Sequence, residues 1–310
     1  MSLTIRPLAE TFAAEVRGVD LRKPPGAPVI REIYNAFLEH GVLVIPGQNL
    51  TIDQQLEFAS TFGEVWQLPD LGGNHARRVA NRGIDDVSNL ATDGEVAAPD
   101  SERLQFQLGN QLWHSDLSNL PVPAHASMLH ALEVCAEGGE TQYADEQGAY
   151  AELSEERKAE LEGLIAEHSI AHSRVLGGNK NIDVEALNRL LPPSPQPVVR
   201  VHPETGKKTL FVGAHAARIF GMDDEKGNAL IRELVEFSTR PHLVYTHRWA
   251  VNDLVIWDNR RVMHRGRPFD QTVRRVMHRA TINGDPTMSD SGEILIPDVR
   301  PREPRVPEFA

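Results

Sequence analysis

The sequence predicts a mainly β fold with helical insertions, in which two sheets pack face to face as a jelly roll. Many short β-like segments, bounded by Gly, Pro and Asn, are spread along the chain with a few helical patterns between them. Strands and helices do not alternate regularly, as they would in a doubly wound parallel sheet. No repeat or Gly/Ser linker divides the 310 residues. We therefore expect one domain over residues 1–283, followed by a polar, proline-rich and weakly ordered arm over residues 284–310.

The first third of the chain predicts two helices around a buried strand. Apolar residues of the first helix recur at the spacing of one helical face, and a capping box of Thr51 and Gln54 begins the second. In chain order we expect strands over residues 3–8 and 14–21, a helix over residues 28–40, a strand over residues 42–45, a helix over residues 51–63, and an irregular loop over residues 65–110 with one short strand near residues 87–90.

The remainder predicts mostly strands. Residues 173–197 contain Gly177-Gly178 and several prolines, which predicts a mobile flap or lid. We expect strands over residues 111–116, 126–135 and 141–144, a hairpin of residues 198–202 and 209–212, strands over residues 243–248, 254–257 and 275–282, and helices that begin at Ser154 and at Asp223 or Asp224.

Composition excludes some classes of partner. The chain has 32 basic and 44 acidic residues, a formal net charge of -12. Nucleic acid and anionic membranes both need a basic surface, so neither is expected. No apolar stretch is long enough for a signal peptide or a membrane span, and we expect a cytoplasmic protein. The single cysteine, Cys135, cannot form an internal disulfide and is expected in the core, because it ends an apolar run.

The pair His114-Ser-Asp116 is the first candidate for chemistry. With 13 histidines and 44 acidic residues in 310 positions, chance gives roughly two His-x-acid pairs. The second pair, His202-Pro-Glu204, is interpreted as a surface turn. A β-like segment presents the first pair, and residues two apart on a strand point to one face, so both side chains could reach one cation. On the pair alone, a histidine hydrogen-bonded to an aspartate at a loop mouth is the simpler interpretation.

His264, which lies among several arginines, is the candidate for a third metal ligand. Two imidazoles and one carboxylate can hold one face of an octahedral ferrous ion and leave three positions open. Farther along, Arg275 and Arg279 have the same parity and face the same way on one strand. Two guanidinium groups on one side repel each other unless an anion lies beside them. This favours an anion-binding pocket over a solvated edge strand.

Four motifs are spread over the second half of the chain: Asn-Gln-Leu-Trp-His114-Ser-Asp116, Gly-Gly-Glu-Thr141, Trp257-Asp-Asn-Arg with His264-Arg-Gly, and Arg275-Val-Met-His-Arg279-Ala-Thr, with Phe211-Val-Gly-Ala-His215 and His247-Arg-Trp beside them. Together they resemble the taurine dioxygenase family of Fe(II)/2-oxoglutarate-dependent dioxygenases. The resemblance runs from the strand at residue 42 to about residue 282 and extends most to the 2,4-dichlorophenoxyacetate dioxygenase branch. It implies a double-stranded β-helix, in agreement with the jelly roll.

The resemblance also implies roles for individual residues. His114, Asp116 and His264 would bind Fe(II). Thr141 and Arg275 would hold the distal carboxylate of the cosubstrate 2-oxoglutarate, whose keto-acid end chelates the metal, and dioxygen would take the last open position. No catalytic residue beyond the metal ligands is implied. The substrate would be contacted by Arg279, which grips its acidic group, by Asn110 and Leu117, which flank the pocket, and by His215, which approaches it.

One departure bears on the substrate. Taurine dioxygenase has a sulfonate-binding histidine ahead of a proline, where this chain has Leu68-Pro69. This favours a larger, more apolar acid than taurine, although His75 could substitute. We therefore expect the hydroxylation of a small organic acid, above all an aryloxyalkanoate, whose hydroxylated ether collapses to a phenol and a short oxo-acid.

Three alternatives stay open at this point. The substrate could be an alkyl sulfonate or sulfate. The same three ligands could bind Zn²⁺ and activate water for hydrolysis, although Arg275 would then lack a function. The chain could also be a non-catalytic acid-binding protein with a decayed metal site, which the intact triad disfavours. In every case the expected partner is a small-molecule acid, and a homo-oligomer is possible.

Overall fold

The computed structural model describes residues 3–69, 77–288 and 295. These residues contain fifteen strands and eight α-helices. The strands are β1 (Thr4–Pro7), β2 (Ala14–Arg17), β3 (Val42–Ile45), β4 (Asp85–Ser88), β5 (Ala124–Glu133), β6 (Thr141–Asp145), β7 (Ile165–His168), β8 (Ser194–Pro197), β9 (Val199–Val201), β10 (Lys208–Leu210), β11 (Ala216–Ile219), β12 (Val244–His247), β13 (Leu254–Asp258), β14 (Val262–Gly266) and β15 (Val276–Asn283). The helices are α1 (Ala27–His40), α2 (Ile52–Ser60), α3 (Glu102–Gln107), α4 (Glu146–Ala151), α5 (Glu155–Leu161), α6 (Ile170–Leu176), α7 (Val184–Leu190) and α8 (Asp224–Ser238), with 3₁₀ turns at Leu108–Gln111 and Pro241–Leu243.

A large sheet and a small sheet form the body of the fold. The large sheet has seven strands in the order β1-β2-β3-β13-β5-β15-β4, antiparallel except where β2 meets β3. The small sheet is β12-β6-β14. Strands β11-β7-β8 and the hairpin β9-β10 add two further ladders. The predicted jelly roll with helical insertions is confirmed.

The large sheet is apolar on both faces, and β13 shows why. Leu254 and Ile256 belong to the apolar cluster that also holds the inner faces of α1 and α2. Val255 and Trp257 belong to a second cluster with Tyr143 of the small sheet. Because successive strand residues point to opposite faces, one face packs on the helices and the other on the small sheet. The second cluster therefore forms a core between the two sheets.

The predicted N-terminal elements are confirmed. Helix α1 ends at Gly41, whose φ is 69° and whose N–H donates to the carbonyl of Phe37 at 2.8 Å. Helix α2 has the expected capping box: the Thr51 hydroxyl accepts from the N–H of Gln54 at 3.3 Å, and the Gln54 side chain accepts from the N–H of Thr51 at 2.9 Å. The hairpin predicted near residues 198–212 is β9-β10, and the helix capped by Asp223 is α8.

Several short elements differ from the prediction. The strand expected over residues 111–116 is wrong, because the structure has an isolated β-bridge at His114 instead. The expected loop over residues 65–110 contains α3, which Ser101 caps. Elements this short show no clear periodicity of apolar residues, and the segments with which they pair are remote in sequence. The sequence analysis also missed β7, β11, β14 and α4.

Two other expectations concern particular segments. Residues 173–197, expected as a mobile flap, carry the end of α6, all of α7 and β8, which pairs with β7. Of the expected C-terminal arm, residues 284–288 and 295 are described, and the N–H of Leu295 donates to the carbonyl of Thr287 at 2.9 Å. The rest of the arm and His75 lie outside the described residues.

The interpretation of His202-Pro-Glu204 as a surface turn holds for Pro203 and Glu204, which are exposed in the turn of the β9-β10 hairpin, but not for His202. His202 is buried, with Nε2 2.9 Å from Oδ2 of Asp258. Arg260 donates twice to Asp258, at 2.8 Å each, and once to Glu204 at 2.6 Å. Glu204 also accepts from the hydroxyl of Tyr34 at 2.8 Å. Burial alone would raise the pKa of Asp258, but Arg260 and His202 hold it well below its ordinary value. This buried cluster ties α1 to the β9-β10 hairpin and to the end of β13.

We expect Arg260→Met to lower the free energy of unfolding by about 3–5 kcal/mol, because it leaves the buried Asp258 carboxylate short of its main partner. Arg157→Met is the matched control, since Arg157 pairs with exposed glutamates and its loss should cost at most about 1 kcal/mol. Urea unfolding followed by circular dichroism measures both. Equal losses in the two variants would contradict a structural role for the cluster.

Candidate active site

The structure brings together the three predicted metal ligands. His264 lies in β14, and His114 pairs with it through two backbone hydrogen bonds, of 3.0 and 2.8 Å. Nε2 of His114 lies 3.9 Å from Oδ1 of Asp116, and Nε2 of His264 lies 3.8 Å from Oδ2. One ligand atom from each residue lies within 4.8 Å of the other two, and all three residues are buried. One divalent ion can therefore contact all three.

Neighbouring groups orient the two imidazoles. Nδ1 of His114 lies 2.8 Å from the carbonyl oxygen of Leu112. A carbonyl only accepts, so Nδ1 carries the proton and Nε2 presents its lone pair towards Asp116. The His264 ring packs against Trp257, with ring centroids 4.7 Å apart. Burial lowers the pKa of both histidines, which keeps them in the neutral form that a metal requires.

The carboxylate of Asp116 is held as an anion. Ser127 donates its hydroxyl to Oδ2 and Arg279 donates Nη1–H to Oδ1, both at 2.7 Å. The N–H of Asp116 donates to the side-chain oxygen of Asn259 at 3.0 Å. Burial would raise the pKa of Asp116, but the positive charge of Arg279 and the hydrogen bond from Ser127 hold it below its ordinary value. Two neutral imidazoles on one side of a carboxylate form the donor set typical of non-haem Fe(II) oxygenases.

A cavity of about 170 Å³ opens beside the triad. Thr141 and Arg275, the residues expected to hold 2-oxoglutarate, both line it. The Thr141 hydroxyl accepts from the indole N–H of Trp249 at 3.0 Å, and Arg275 donates to the carbonyl of Gly139 at 3.1 Å. Burial lowers the pKa of Arg275 to about 10. No carboxylate among the described residues pairs with this guanidinium, so the distal carboxylate of a bound keto-acid fits it.

The turn before Thr141 depends on its glycines. Gly138 and Gly139 both have positive φ, of 75° and 70°. A Cβ at Gly139 would lie 3.0 Å from Nε of Arg275, closer than ordinary packing allows. The glycines thus let the chain reverse while the guanidinium lies directly against it. Cys135 borders a second cavity next to Arg275 and is half-buried, so its expected place in the core is wrong.

Of the four residues expected at the substrate, two line the cavity and two do not. Asn110 and Arg279 line the cavity. His215 packs against the His114 ring, with centroids 5.7 Å apart, and its Nδ1 lies 2.9 Å from the Ser118 hydroxyl. Leu117 is half-buried at the turn after Asp116, with a φ of 54°. Contacts of these residues with a substrate stay a prediction.

Sequence reasoning missed several supporting residues. Ser127, Asn259 and Trp249 each donate to or accept from a residue of the site. Asn259 and Trp249 lie inside the motifs Trp257-Asp-Asn and His247-Arg-Trp, where they had no assigned contact. Ser127 faces Asp116 from the middle of β5, and its sequence neighbourhood carries no signal for that.

Comparison with known proteins identifies the family of this chain. Residues 4–281 match the family described as taurine catabolism dioxygenase TauD, TfdA family. The chain belongs to the TauD/TfdA family. It is therefore a 2-oxoglutarate-dependent dioxygenase, and the hydrolase and non-catalytic alternatives are set aside.

Relatives of the TauD/TfdA chain cover nearly its whole length. It is 42% identical over 285 residues to an alpha-ketoglutarate-dependent 2,4-dichlorophenoxyacetate dioxygenase of Cupriavidus pinatubonensis, covering 92% of this chain and 99% of the relative. It is 36% identical to an (S)-phenoxypropionate/alpha-ketoglutarate-dioxygenase of Sphingobium herbicidovorans, covering 91% and 95%. The crystal structure of AAD-2 in complex with Mn(II) and N-oxalylglycine superposes with a TM-score of 0.84 at 42% identity, covering 93% and 100%. Within the described residues, no helix is long and apolar enough to cross a membrane.

His114→Ala should abolish metal binding, because it removes one of three ligands whose side chains converge on one point. Isothermal titration with Mn(II) measures this. His242→Ala is the control, since His242 is exposed and pairs with Glu152. Mn(II) affinity in His114→Ala close to that of the wild type would exclude this metal site.

Arg275→Met should raise the KM for 2-oxoglutarate by about 10- to 100-fold, because a charge-assisted hydrogen bond is worth about 1.5–3 kcal/mol. The neighbouring Arg274→Met serves as the control, since Arg274 pairs with Glu133 at the surface. Succinate formation at varied 2-oxoglutarate measures both. A similar KM in the two variants would argue against the assigned role of Arg275.

Proposed function

We propose that the protein hydroxylates an aryloxyalkanoate at the carbon that bears the ether oxygen. The observation that carries this proposal is a cavity beside the metal triad that combines a large apolar wall with the guanidinium groups of Arg275 and Arg279. The apolar lining is Val87, Pro99, Leu104, Leu108, Leu129 and Phe269. Such a wall suits an aryl ring better than the short polar chain of taurine.

Two further observations support an aryloxy acid. Leu68 stands where taurine dioxygenase has a sulfonate-binding histidine. The relatives that are 42% and 36% identical are named for dichlorophenoxyacetate and phenoxypropionate. We also propose Fe(II) as the resident metal and the catabolism of aromatic acids in the cytoplasm as the setting.

The residues of the chain have separate tasks in this reaction. With Fe(II) and 2-oxoglutarate bound, the oxidative decarboxylation of the keto-acid by dioxygen supplies the oxidant that converts C–H to C–OH. His114, Asp116 and His264 leave one side of the metal position open towards the cavity. Thr141 and Arg275 orient the keto-acid from the far end. The apolar wall excludes water from the reacting carbon.

The product chemistry follows from where the hydroxyl is placed. A hydroxyl on the ether carbon makes a hemiacetal, ArO–CH(OH)–COO⁻ when the substrate is an aryloxyacetate. The hydroxyl loses its proton, the C–OAr bond breaks, and the aryloxide takes up a proton. The products are a phenol and glyoxylate, so phenol release marks hydroxylation at this carbon.

We expect phenol and succinate in equal amounts when phenoxyacetate or 2-phenoxypropionate is added to the protein with Fe(II), 2-oxoglutarate and dioxygen. Both enantiomers of phenoxypropionate, an alkyl sulfate and taurine complete the panel. Phenol is measured by a colorimetric coupling assay and succinate by chromatography. Succinate release with the alkyl sulfate or taurine, and none with the aryloxy acids, would overturn the proposed substrate and keep the reaction class.

A further inference from the structure

Among the described residues, three arginines line the cavity, and two of them have an expected ligand. Arg275 is expected to hold the keto-acid, and Arg279 the acidic group of the substrate. Arg267 is the third, and its guanidinium forms no hydrogen bond or ion pair within the part of the chain that the structure describes. The cavity thus carries one more cation than those two contacts use.

Arg267 lies at the opening of the cavity. Three of the described residues that line the cavity are exposed, namely Pro99, Gln111 and Arg267, and they mark where it meets the solvent. Arg267 is the charged member of this set. Its N–H donates to the carbonyl of Glu140 at 2.7 Å, which fixes the backbone just after the end of β14. The guanidinium is therefore carried by a fixed stretch of backbone at the entrance.

No carboxylate balances the charge of Arg267 at the entrance. The Glu140 side chain lines the second cavity instead. Asp270, three residues after Arg267, accepts from the N–H and the hydroxyl of Thr272 at 2.9 and 2.7 Å. No aspartate or glutamate of the described chain is among the residues that line the first cavity. Its opening therefore has a positive charge.

A second arginine adds to this positive charge. Arg265 lies over the ring of Trp113, 4.5 Å from its centroid, and donates to the side-chain oxygen of Gln142 at 2.9 Å. Burial lowers the pKa of Arg265, and the positive charge of Arg267 lowers it further. The two guanidinium groups are thus near enough to repel each other. Because like charges placed together do not stabilise a fold, this arrangement points to a role in ligand binding.

The charge of the whole protein gives a cation at the entrance a function. The chain has a formal net charge of -12, whereas 2-oxoglutarate is a dianion at neutral pH and an aryloxyalkanoate is a monoanion. Charges farther away than about 8 Å are largely screened at physiological salt, so an approaching acid responds mainly to the charges at the opening. A cleft with charges of one sign and low-dielectric walls concentrates ligands of the opposite sign and speeds their association.

We propose that Arg267 draws carboxylic acids into the cavity through its charge, as a capture residue at the opening that does not contact the bound ligand. The inference deepens the proposed function and rests on it where it concerns the organic substrate. Attraction by a point charge needs no fixed geometry, so the side chain can stay exposed and unpaired. Arg275 and Arg279 then receive the two acids inside the cavity.

Arg267→Gln tests the inference, because it removes the charge and keeps a polar side chain. We expect kcat/KM for phenoxyacetate and for 2-oxoglutarate to fall about 3- to 10-fold at about 0.01 M salt, where charges act over about 30 Å. At about 1 M salt this range shrinks to about 3 Å, and both values should lie within about twofold of the wild type at the same salt. The kcat should stay within about twofold throughout, because the captured acid reaches an unaltered metal site.

Two variants serve as controls. Arg232→Gln removes the same charge from an exposed position of α8 that does not line the cavity, and it should leave both kcat/KM values unchanged. Arg267→Lys keeps the charge and loses the planar guanidinium, so it should retain the wild-type values within about twofold. Calorimetric titration of the Mn(II)-loaded protein with 2-oxoglutarate at both salt concentrations gives the same comparison without turnover.

Three results would overturn the inference: equal kcat/KM values in Arg267→Gln and the wild type at low salt, a loss that persists at about 1 M salt, or a loss that lysine does not restore. The last two would assign Arg267 to a direct contact or to packing. Failure of the proposed function is seen separately in the wild type, which would turn over an alkyl sulfate or taurine in place of phenoxyacetate. The 2-oxoglutarate measurements would then still test Arg267, because the dioxygenase consumes this cosubstrate with any substrate.

Discussion

Two backbone hydrogen bonds between His114 and His264 hold the metal centre in place. They join a loop to β14 and set the two imidazole rings 4.3 Å apart at their centroids. Asp116 follows two residues later and is fixed by the side chains of Ser127 and Arg279. The triad therefore does not need a regular strand at residues 111–116. It needs one bridge to the small sheet and one anchor to the large sheet, so the distance between the two sheets determines the geometry of the site.

Burial and pairing sort the arginines of this chain into two kinds. Two of the arginines that follow Trp257, Arg260 and Arg261, are balanced by Asp258 and Asp145. Within the described residues, Arg174 and Arg275 are buried and lack a carboxylate partner. Arg275 lines the cavity, and Arg174 packs against Gly109 behind it. The density of arginines in the sequence thus says less about ligand binding than the absence of an internal counter-charge does.

The metal triad and the long helices could be predicted from the sequence, because local patterns and motifs indicate both. Helix α1 has an apolar face and a terminating glycine, and α2 has its capping box. The triad was recognised once His264 and Arg275 were combined with His114-Ser-Asp116. The burial of His202 could not be predicted from the sequence, because its partner Asp258 and the cluster member Tyr34 are remote in the chain. The same holds for Arg174, whose unpaired state appears once α6 is packed against the 3₁₀ turn.

The site divides its work among separate elements of the fold. The proposed metal ligands come from β14 and the loop before β5, and the residues proposed for the keto-acid come from the start of β6 and the position before β15. One part of the cavity wall, formed by Leu104, Gln107, Leu108, Asn110 and Gln111, comes from α3 and the 3₁₀ turn, which belong to none of the strands of the two main sheets. Substitutions in residues 102–111 therefore change this wall while the triad, Thr141 and Arg275 stay in place. A family built in this way can change its substrate range through substitutions in this outer layer alone.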